Sequence, residues 1–238
     1  MASRLRALAV LPCFDEAPRL AGVLARFPPG AVDEVLVVLD GCTDASEAVA
    51  RRSGVRVVSQ PRRGVGAAIR EGFRAALDGG FDAAVVLAAN GKDDPRDIPR
   101  LLAPLEDDVA DLVQGSRFLS RRDVGGMPAY RKLATRAHPW LFSAVAGRFV
   151  TESTNGFRAV HRRVLEDARI DLSPAWLDGY GLEPALYLRA VQLGFRTVEV
   201  PVTKRYPPKG EAFTKMPAVT GWWRMLEPLV RVGLTERT

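Results

Sequence analysis

Residues 34–52 read Glu-Val-Leu-Val-Val-Leu-Asp-Gly-Cys-Thr-Asp-Ala-Ser-Glu-Ala-Val-Ala-Arg-Arg and combine three local signals. Glu34–Leu39 is a short apolar run, which is typical of a parallel strand buried on both faces. A polar turn follows it, and Asp44 is well placed to cap a helix that continues to Arg52. The segment therefore predicts a strand, a turn and a helix in direct succession.

The same strand-then-helix unit repeats through the first half of the chain. The other predicted strands of this half are rich in Val, Leu and Ala: Ala7–Leu11, Val55–Ser59, Ala83–Leu87 and Leu112–Gly115. The helical patterns between them are Ala17–Phe27, Ala67–Leu77 and Arg96–Leu105, and Pro95 suits the first turn of the last one. Repeated βα units predict an α/β fold with a Rossmann-like, mostly parallel twisted sheet flanked by helices.

The second half of the chain predicts further elements of the same domain. They are a helix at 131–147, a strand at Gly156–Val160, a helix at Glu183–Leu193 and a strand at Thr197–Val202. Val219–Leu234 has an apolar face and a charged face, as in an amphipathic helix. We predict one domain at 1–216, with a nucleotide-binding half near 1–118 and an acceptor half near 119–216, and a C-terminal amphipathic helix or tail at 217–238.

The amino-acid composition limits the kinds of molecule that the protein is expected to bind. The 238 residues carry a net charge of +6, which suits a phosphate-bearing ligand or an anionic membrane surface. The Arg residues are scattered and no base-reading module is present, so we expect no nucleic-acid partner. Two cysteines are too few for a disulfide framework or a zinc site. With no signal peptide and no membrane-length apolar run, we expect a cytoplasmic protein, and peripheral membrane contact and a homodimer stay open.

Polar turns follow four of the predicted strands. Their sequences are Pro-Cys-Phe-Asp-Glu at 12–16, Asp-Gly-Cys-Thr-Asp at 40–44, Gln-Pro-Arg-Arg-Gly-Val-Gly at 60–66 and Asn-Gly-Lys-Asp-Asp at 90–94. In an open α/β sheet such turns meet in a crevice beyond the carboxyl ends of the strands. Neither the dinucleotide pattern Gly-x-Gly-x-x-Gly nor a Walker motif occurs in them. The crevice therefore suits a nucleotide, but one that is bound without either of these two motifs.

Six short motifs, in order over residues 7–216, carry a resemblance to family 2 glycosyltransferases, in particular to the dolichyl-phosphate mannosyltransferase-like branch. Residues 11–16 resemble the Pro-x-Tyr-Asn-Glu opening, 37–44 resemble Val-Asp-Asp-Gly-Ser-Thr-Asp, and 64–68 resemble Gly-Lys-Gly-x-Ala. Residues 115–117 match Gly-Ser-Arg, 151–158 are similar to Thr-Asp-x-x-Ser-Gly-Phe-Arg, and 199–202 are similar to Glu-Val-Pro-Ile. The resemblance implies a GT-A type fold and transfer of a hexosyl group from a UDP- or GDP-sugar.

The resemblance also implies a set of nucleotide-sugar-binding residues. Glu16 would accept hydrogen bonds from ribose hydroxyls, and Asp40 would accept one from a base N–H, which suits uracil or guanine. The full set is Pro12, Cys13, Phe14, Glu16, Asp40, Gly64, Gly66, Ala89, Asn90 and Gly91. For Gly64 and Gly66 the alternative is that they only make room for close packing of a helix.

The chain departs from the family at its metal-binding motif. The two positions of the family's Asp-x-Asp clamp are Ala88 and Asn90, so a requirement for Mg²⁺ or Mn²⁺ is in doubt. Lys92 and Arg117 could neutralise a diphosphate leaving group without a metal. If a metal binds, its ligands would be Asn90, Asp93 and Asp94, although both carboxylates could instead cap the helix at Pro95. A nucleotide-sugar-binding pseudo-enzyme is the alternative to an active transferase.

Two acceptor classes stay open at this stage. Transfer to the hydroxyl of a soluble small molecule needs a general base, for which Glu152 and Asp178 are candidates. A lipid phosphate such as a polyprenyl phosphate is already ionised and needs none. A basic cluster would then bind that phosphate, formed by Arg131, Arg158, Lys204, Arg205 and Lys209. Trp222 and Trp223 could lie in a membrane interface, or their helix could pack on the domain itself.

Overall fold

A seven-stranded sheet forms the centre of the protein, which is described by a computed structural model over residues 4–119, 129–206 and 220–235. The strands are β1 (Ala7–Cys13), β2 (Glu34–Asp40), β3 (Arg56–Gln60), β4 (Ala83–Val86), β5 (Leu112–Ser116), β6 (Arg158–His161) and β7 (Thr197–Pro201). The helices are α1 (Ala17–Leu24), α2 (Ser46–Arg52), α3 (Val65–Asp78), α4 (Ile98–Glu106), α5 (Ala129–Ala146), α6 (Arg162–Leu165), α7 (Leu182–Gln192) and α8 (Thr220–Thr235). Single 3-10 turns lie at Pro95–Asp97 and Ala175–Asp178.

The strand order is β3-β2-β1-β4-β6-β5-β7. Neighbouring strands are parallel except for β6, which runs antiparallel to both β4 and β5. Strands β2 and β3 lie on one side of β1, and β4, which comes later in the chain, lies on the other side of β1. The carboxyl ends of β1, β2 and β4 therefore meet at a switch in strand order, where α/β sheets bind ligands. The predicted α/β fold with a mostly parallel sheet is confirmed.

Both faces of the sheet are covered, as the apolar strands require. Successive residues of a strand point to opposite faces, so Leu8 and Val10 join one apolar cluster while Ala9 and Leu11 join the other. The first cluster includes buried side chains of α3, α5, α7 and α8, and the second includes those of α1 and α4. The cavity described below therefore stands at the end of a sheet that is buried on both faces.

Two predicted helix starts have the expected polar contacts. Asp44 accepts a hydrogen bond from Ser46 N at the start of α2 (2.9 Å), and its other oxygen accepts one from Ala17 N at the start of α1 (2.9 Å). Asp94 accepts one from Arg96 N (3.2 Å) at the 3-10 turn that leads into α4. Capping at Pro95, one of the two readings of the acidic turn, is therefore present for Asp94.

Helix α8 packs against α7 and α5, and a buried histidine joins two of these helices. His138 of α5 lies 3.0 Å from the Met225 carbonyl oxygen through Nε2 and 2.8 Å from Ser153 Oγ through Nδ1. The carbonyl can only accept, so Nε2 carries the proton and Nδ1 accepts from the serine hydroxyl. None of the helices in the described ranges has both the length and the apolar character needed to span a bilayer.

Candidate functional site

A cavity of about 470 Å³ opens beyond the carboxyl ends of β1, β2 and β4. Its position at the switch in strand order is the one predicted from the polar turns. The predicted site residues that line it are Pro12, Cys13, Phe14, Glu16, Asp40, Gly64, Ala89, Asn90, Lys92, Asp93, Arg117 and Lys204. Residues separated by up to nearly two hundred positions in sequence are thus brought together around one space.

At one end of the cavity, Asp40 is buried at the end of β2 and accepts hydrogen bonds from several protein groups. Gln60 Nε2 and Arg63 N donate to Oδ1, each at 2.8 Å, and Gly64 N donates to Oδ2 at 2.9 Å. Burial opposes ionisation of this carboxyl, but these bonds and the nearby Arg62 outweigh it and lower the pKa of Asp40. Asp40 therefore stays ionised, and it fixes the loop between β3 and α3.

Arg62 fills the space next to Asp40. Its guanidinium pairs with Asp40 Oδ2 and lies over the ring of Phe14, 3.6 Å from the ring centroid. Phe14 and Asp40 are the residues that the family resemblance assigns to the base. The sequence analysis did not assign Arg62 to the site, although it belongs to the polar turn after β3.

Arg117, which also lines the cavity, is fixed directly after the end of β5. Its Nε donates to Glu152 Oε2 (2.6 Å), and its other nitrogens donate to the Tyr206 hydroxyl (2.6 Å) and to Thr154 Oγ1 (3.2 Å). Burial disfavours the charge, but the Glu152 carboxylate outweighs this and raises the pKa of Arg117. Arg117 therefore presents a permanent and rigidly oriented positive charge to the cavity.

A second cation is fixed close to Arg117. Lys204 Nζ donates to Asp93 Oδ1 and to Asn155 Oδ1, each at 2.6 Å. The other Asp93 oxygen accepts from Ala88 N at 3.1 Å, so this carboxylate connects the Lys204 ammonium to the turn after β4. Lys92, from the same turn, also lines the cavity and is buried. Three positive side chains thus line the same cavity.

The turn after β4 does not fit a divalent cation. Ala88 has no ligand atom, and Asn90 Oδ1 accepts from Lys92 N (3.2 Å). Asp93 is paired with Lys204, and Asp94 is paired with Arg96 (2.6 Å) and Arg205 (3.0 Å). In the described part of the chain, the one group of three side chains that could hold a metal is Asp15, Cys42 and Asp44, and none of these lines the cavity. Of the predicted metal ligands, Asp93 and Asp94 are therefore paired with basic side chains, and the Asn90 side-chain oxygen accepts a hydrogen bond from the backbone.

Glu183, at the start of α7, presents a carboxylate to the cavity. Its Oε1 lies against Gly156, where a Cβ atom would displace the carboxylate from this position. Among the residues that the structure describes, none donates a hydrogen bond to it. Burial raises the pKa of Glu183, and the charges of Arg158 and Lys204 oppose that rise only in part. Such a group is suited to accept a proton from a ligand.

Further wall of the cavity comes from residues of α5, α8 and the turn before α7. They are Thr135, Gly179, Tyr180, Trp222, Arg224 and Met225. The sequence left open a membrane interface or packing on the domain for Trp222, and its side chain lines the cavity. Neither the Glu183 carboxylate nor Arg224 was assigned to the site, because each is a single charged residue at the edge of a helix and has no local motif around it.

Both predicted general bases lie elsewhere. Glu152 is fully buried, and besides Arg117 its oxygens accept from Thr154 N (2.8 Å) and Asn155 N (3.1 Å). Asp178 pairs with Arg70 of α3 and with Arg63, outside the cavity lining. A carboxylate whose oxygens are occupied in this way cannot reach an acceptor proton. Glu152 orients Arg117, and Asp178 holds the turn at 175–178 against α3.

Two members of the predicted phosphate-binding cluster also lie away from the cavity. Arg158 is only 1% exposed, and its guanidinium donates to the carbonyl oxygens of Glu183 (2.6 Å) and Asn155 (2.9 Å). Arg205 is exposed and pairs with Asp94 outside the cavity lining. Lys209 and the side chain of Arg131 lie outside the described residues. Of the cluster, Lys204 is the member that reaches the cavity in the described part of the chain.

Two predicted nucleotide-binding glycines, Gly66 and Gly91, lie outside the cavity lining. A Cβ atom at Gly66 would overlap the Leu177 carbonyl oxygen, so the glycine permits close approach of α3 to the turn at 175–178. Gly91 lies in the turn after β4, outside the cavity lining, with φ of 77°. For Gly66 the packing alternative is the one that the structure favours, whereas Gly64 both donates to Asp40 and lines the cavity.

Known proteins are similar in sequence to this one over most of the chain. The sequence profile of glycosyl transferase family 2 matches residues 9–168. An undecaprenyl-phosphate mannosyltransferase of Micrococcus luteus is 32% identical, and the match covers 84% of this chain and 83% of the relative. A dolichyl-phosphate hexose transferase of Haloferax volcanii is 30% identical, and the match covers 96% of this chain and 94% of the relative. A crystal structure of glucosyl-3-phosphoglycerate synthase from Mycobacterium tuberculosis in complex with Mn²⁺, UDP-glucose and phosphoglyceric acid superposes with a TM-score of 0.67. It is 25% identical and covers 94% of this chain and 80% of its own.

Proposed function

The chain belongs to glycosyl transferase family 2 and has its GT-A type fold, and we propose that it transfers a hexosyl group from a UDP- or GDP-sugar to the phosphate of a polyprenyl phosphate, with inversion. The observation that carries this proposal is that Lys92, Arg117 and Lys204 line one cavity. Three positive charges in one place match the diphosphate of a donor and the phosphate of an acceptor.

Donor binding is supported by the end of the cavity that contains Asp40. An ionised, buried carboxylate next to an aromatic ring can accept the ring N–H of uracil or guanine while the base stacks on Phe14. Adenine has no ring N–H on that edge. Glu16 lines the cavity next to Phe14, where it could accept hydrogen bonds from ribose hydroxyls. The diphosphate would then extend from the ribose towards Arg117 and Lys92.

A lipid-phosphate acceptor is supported by the relatives and by charge. Two of the relatives are named for transfer to undecaprenyl phosphate and to dolichyl phosphate. Arg224 of α8 lines the cavity, and Trp222 and Met225 of the same helix also belong to its wall. A guanidinium next to apolar side chains suits the phosphate and the first carbons of a lipid.

The proposed reaction needs no proton transfer when the acceptor is a phosphate. An acceptor phosphate oxygen forms a bond to the sugar C1 as the bond from C1 to the diphosphate oxygen breaks. The electron pair of the broken bond leaves with the nucleoside diphosphate, and the fixed cations stabilise the charge that develops there. Because Arg117 is held by Glu152 before the ligand arrives, little reorganisation is required.

A soluble hydroxyl acceptor is the second candidate, and Glu183 favours it. A hydroxyl must lose a proton as it attacks, and Glu183 is a carboxylate on the cavity wall with a raised pKa. The structural neighbour from M. tuberculosis binds phosphoglyceric acid, a small soluble molecule. The two candidates share the donor and differ only in the group that attacks C1.

Peripheral membrane contact is part of the proposal for the lipid acceptor. Helix α5 has an exposed stripe at intervals of three and four residues, formed by Leu133, Arg136, Ala137, Trp140, Leu141 and Ala144. Trp140 is 67% exposed and its ring contacts the exposed Phe149 edge-on. No acidic residue occurs in α5, Arg136 lies within the stripe, and the exposed Arg148 follows the helix. Aromatic and basic side chains together suit an anionic membrane surface.

The test is an assay of donors and acceptors in combination. UDP-glucose, UDP-galactose and GDP-mannose would each be offered with a polyprenyl phosphate in detergent and with phosphorylated small-molecule alcohols, and products would be identified by mass spectrometry. We expect a glycosyl phosphodiester with the polyprenyl phosphate and one donor. Transfer to the alcohols alone would favour the second candidate, and no transfer in any combination would contradict both.

A further inference from the structure

The charge normally supplied by a divalent cation must have another source in this chain, if the donor is a nucleoside diphosphate sugar as proposed above. Ala88 and Asn90 provide no carboxylate at the turn after β4, and Asp93 and Asp94 are both paired with basic side chains. A metal would have to displace Lys204 or Arg205 before it could use either carboxylate. The residues therefore do not fit the metal site of the family.

Lys204 has the position and the rigidity that a replacement would need. Its ammonium is held between Asp93 and Asn155, and its side chain is 9% exposed. Asn155 is itself fixed, since its side-chain amide donates to Gly115 O (2.9 Å). An ammonium has three N–H donors, and these two bonds use two of them. The third can point to a ligand in the cavity that Lys204 lines.

The Lys204 ammonium is also close to the first clamp position. Asp93 Oδ2 accepts from the backbone of Ala88 at 3.1 Å, while Asp93 Oδ1 accepts from Lys204 at 2.6 Å. One carboxylate group therefore separates the ammonium from the residue that replaces the first Asp of the family clamp. The charge balance is similar as well, because Lys204 with Asp93 is neutral, as is a divalent cation on two carboxylates, and Lys92 adds a positive charge.

We propose that the Lys204 ammonium takes the place of the divalent cation and binds the diphosphate of the donor. In the transfer step, the electron pair of the breaking C1–O bond moves to the diphosphate oxygen, and Lys204 stabilises the resulting negative charge through its free N–H. Asp93 and Asn155 are positioning residues that keep the ammonium in place. Donor binding then needs no metal ion.

The experiment measures binding of UDP and GDP by calorimetry, in EDTA and in Mn²⁺. We expect the wild-type protein to bind one of them equally well, within about twofold, in both conditions. Lys204→Met removes the charge but leaves Asp93 buried and unpaired, so it is accompanied by the double variant Lys204→Met/Asp93→Asn, in which no unpaired charge remains. Both should weaken binding of the diphosphate about tenfold or more, the loss of a charged hydrogen bond.

Two controls separate a local effect from a general one. Uridine and guanosine have no phosphate, so their affinity should be unchanged in both Lys204 variants. Arg96→Met removes the partner of the adjacent Asp94 on the exposed side of the same turn, and it should leave diphosphate binding unchanged.

Several outcomes would overturn the proposal. Wild-type binding that is lost in EDTA and restored by Mn²⁺ would do so, and so would a double variant that binds the diphosphate like the wild type. An equal loss of nucleoside and diphosphate binding would show that Lys204 only supports the fold of the cavity. If the wild type binds neither UDP nor GDP in either condition, the proposed donor itself is wrong, which is a different result from metal dependence.

Discussion

The guanidinium of Arg62 lies 3.6 Å from the centroid of the Phe14 ring and pairs at the same time with Asp40. A planar group that stacks on an aromatic ring and donates hydrogen bonds to a carboxylate makes the same contacts as a nucleobase with a ring N–H. A base and this guanidinium cannot occupy the same space over Phe14. In the proposed function, Arg62 must therefore move before the donor base can bind.

Arg62→Ala should accelerate nucleotide binding, because it removes the group that competes with the base for Phe14 and Asp40. We expect the association rate of UDP or GDP to rise several-fold in stopped-flow fluorescence. Arg56→Ala, which removes an arginine that pairs with Glu34 at the amino ends of β3 and β2 and outside the cavity lining, serves as the control. A slower association or a weaker complex in Arg62→Ala would mean that the guanidinium contacts the bound nucleotide instead.

Asp40→Ala should weaken nucleotide binding by about 1–3 kcal/mol, because a buried N–H of the base would lose its charged acceptor. Calorimetry with UDP and GDP measures this. Since Asp40 also fixes the backbone of Arg63 and Gly64, thermal unfolding of the variant must be measured beside it. An unchanged nucleotide affinity would remove Asp40 from the proposed base site.

Glu183→Gln should distinguish the two acceptor classes. For a hydroxyl acceptor, loss of the general base should lower kcat by about 10²-fold or more, whereas for a phosphate acceptor the effect should be much smaller. The pH profile gives a second measure. A base works when deprotonated, so wild-type activity on a hydroxyl acceptor should fall as the pH drops through the raised pKa of Glu183. That acid limb should be absent from Glu183→Gln.

Stability should fall in mild acid because of His138. Burial lowers the pKa of His138 below its ordinary value of 6.5, so the unfolded chain binds more protons than the folded protein as the pH falls below that value. The free energy of unfolding should therefore decrease from pH 6.5 downwards until the lowered pKa is reached. Urea unfolding at several pH values measures this.

His138→Gln keeps a donor for Met225 and an acceptor for Ser153 but does not titrate, so it should reduce this pH dependence. His161 is the other histidine of the chain, and burial also lowers its pKa. His161→Gln therefore measures the remaining contribution. A wild-type pH dependence that persists fully in His138→Gln would show that α5 and α8 are not joined by a neutral histidine.

The stripe on α5 should bind anionic membranes if the acceptor is a lipid phosphate. The double variant Trp140→Ser/Leu141→Ser should reduce co-sedimentation with phosphatidylglycerol vesicles and have no effect with phosphatidylcholine alone. Val109→Ser is a matched control, because Val109 is also exposed but precedes β5, at the opposite edge of the sheet from the cavity. Equal binding of wild type and double variant would exclude this stripe as the contact surface.

Local sequence predicts most of the fold in this chain. The apolar runs predict all seven strands, and they are clearest in the central strands, where burial on both faces needs apolar residues at nearly every position. The antiparallel direction of β6 does not follow from its sequence, because direction depends on the path of the chain between Arg117 and Arg158. The crevice follows from the polar turns, since parallel strands bring their carboxyl ends to one edge.

The roles of charged residues in the candidate site are less predictable. Glu152 and Arg158 lie in a motif of the family and yet are buried with protein partners, because a motif does not reveal which side chains face the ligand. Glu183 is the reverse case: no motif marks it, and its access to the cavity depends on Gly156, which lies 27 positions earlier in the chain. Such pairings are long-range and appear only when the chain is folded.

The bridge between Asp93 and Lys204 joins residues that are 111 positions apart, and Lys204 follows β7, which pairs with β5. During synthesis the strands next to the Asp40 pocket emerge first, and the ammonium that we assign to the diphosphate emerges more than one hundred residues later. A partly synthesised chain would contain the residues for a nucleoside, together with Lys92 and Arg117, but would lack the third of the three charges assigned to its phosphates. The full affinity for the diphosphate would therefore be reached only when the segment after the last strand is in place.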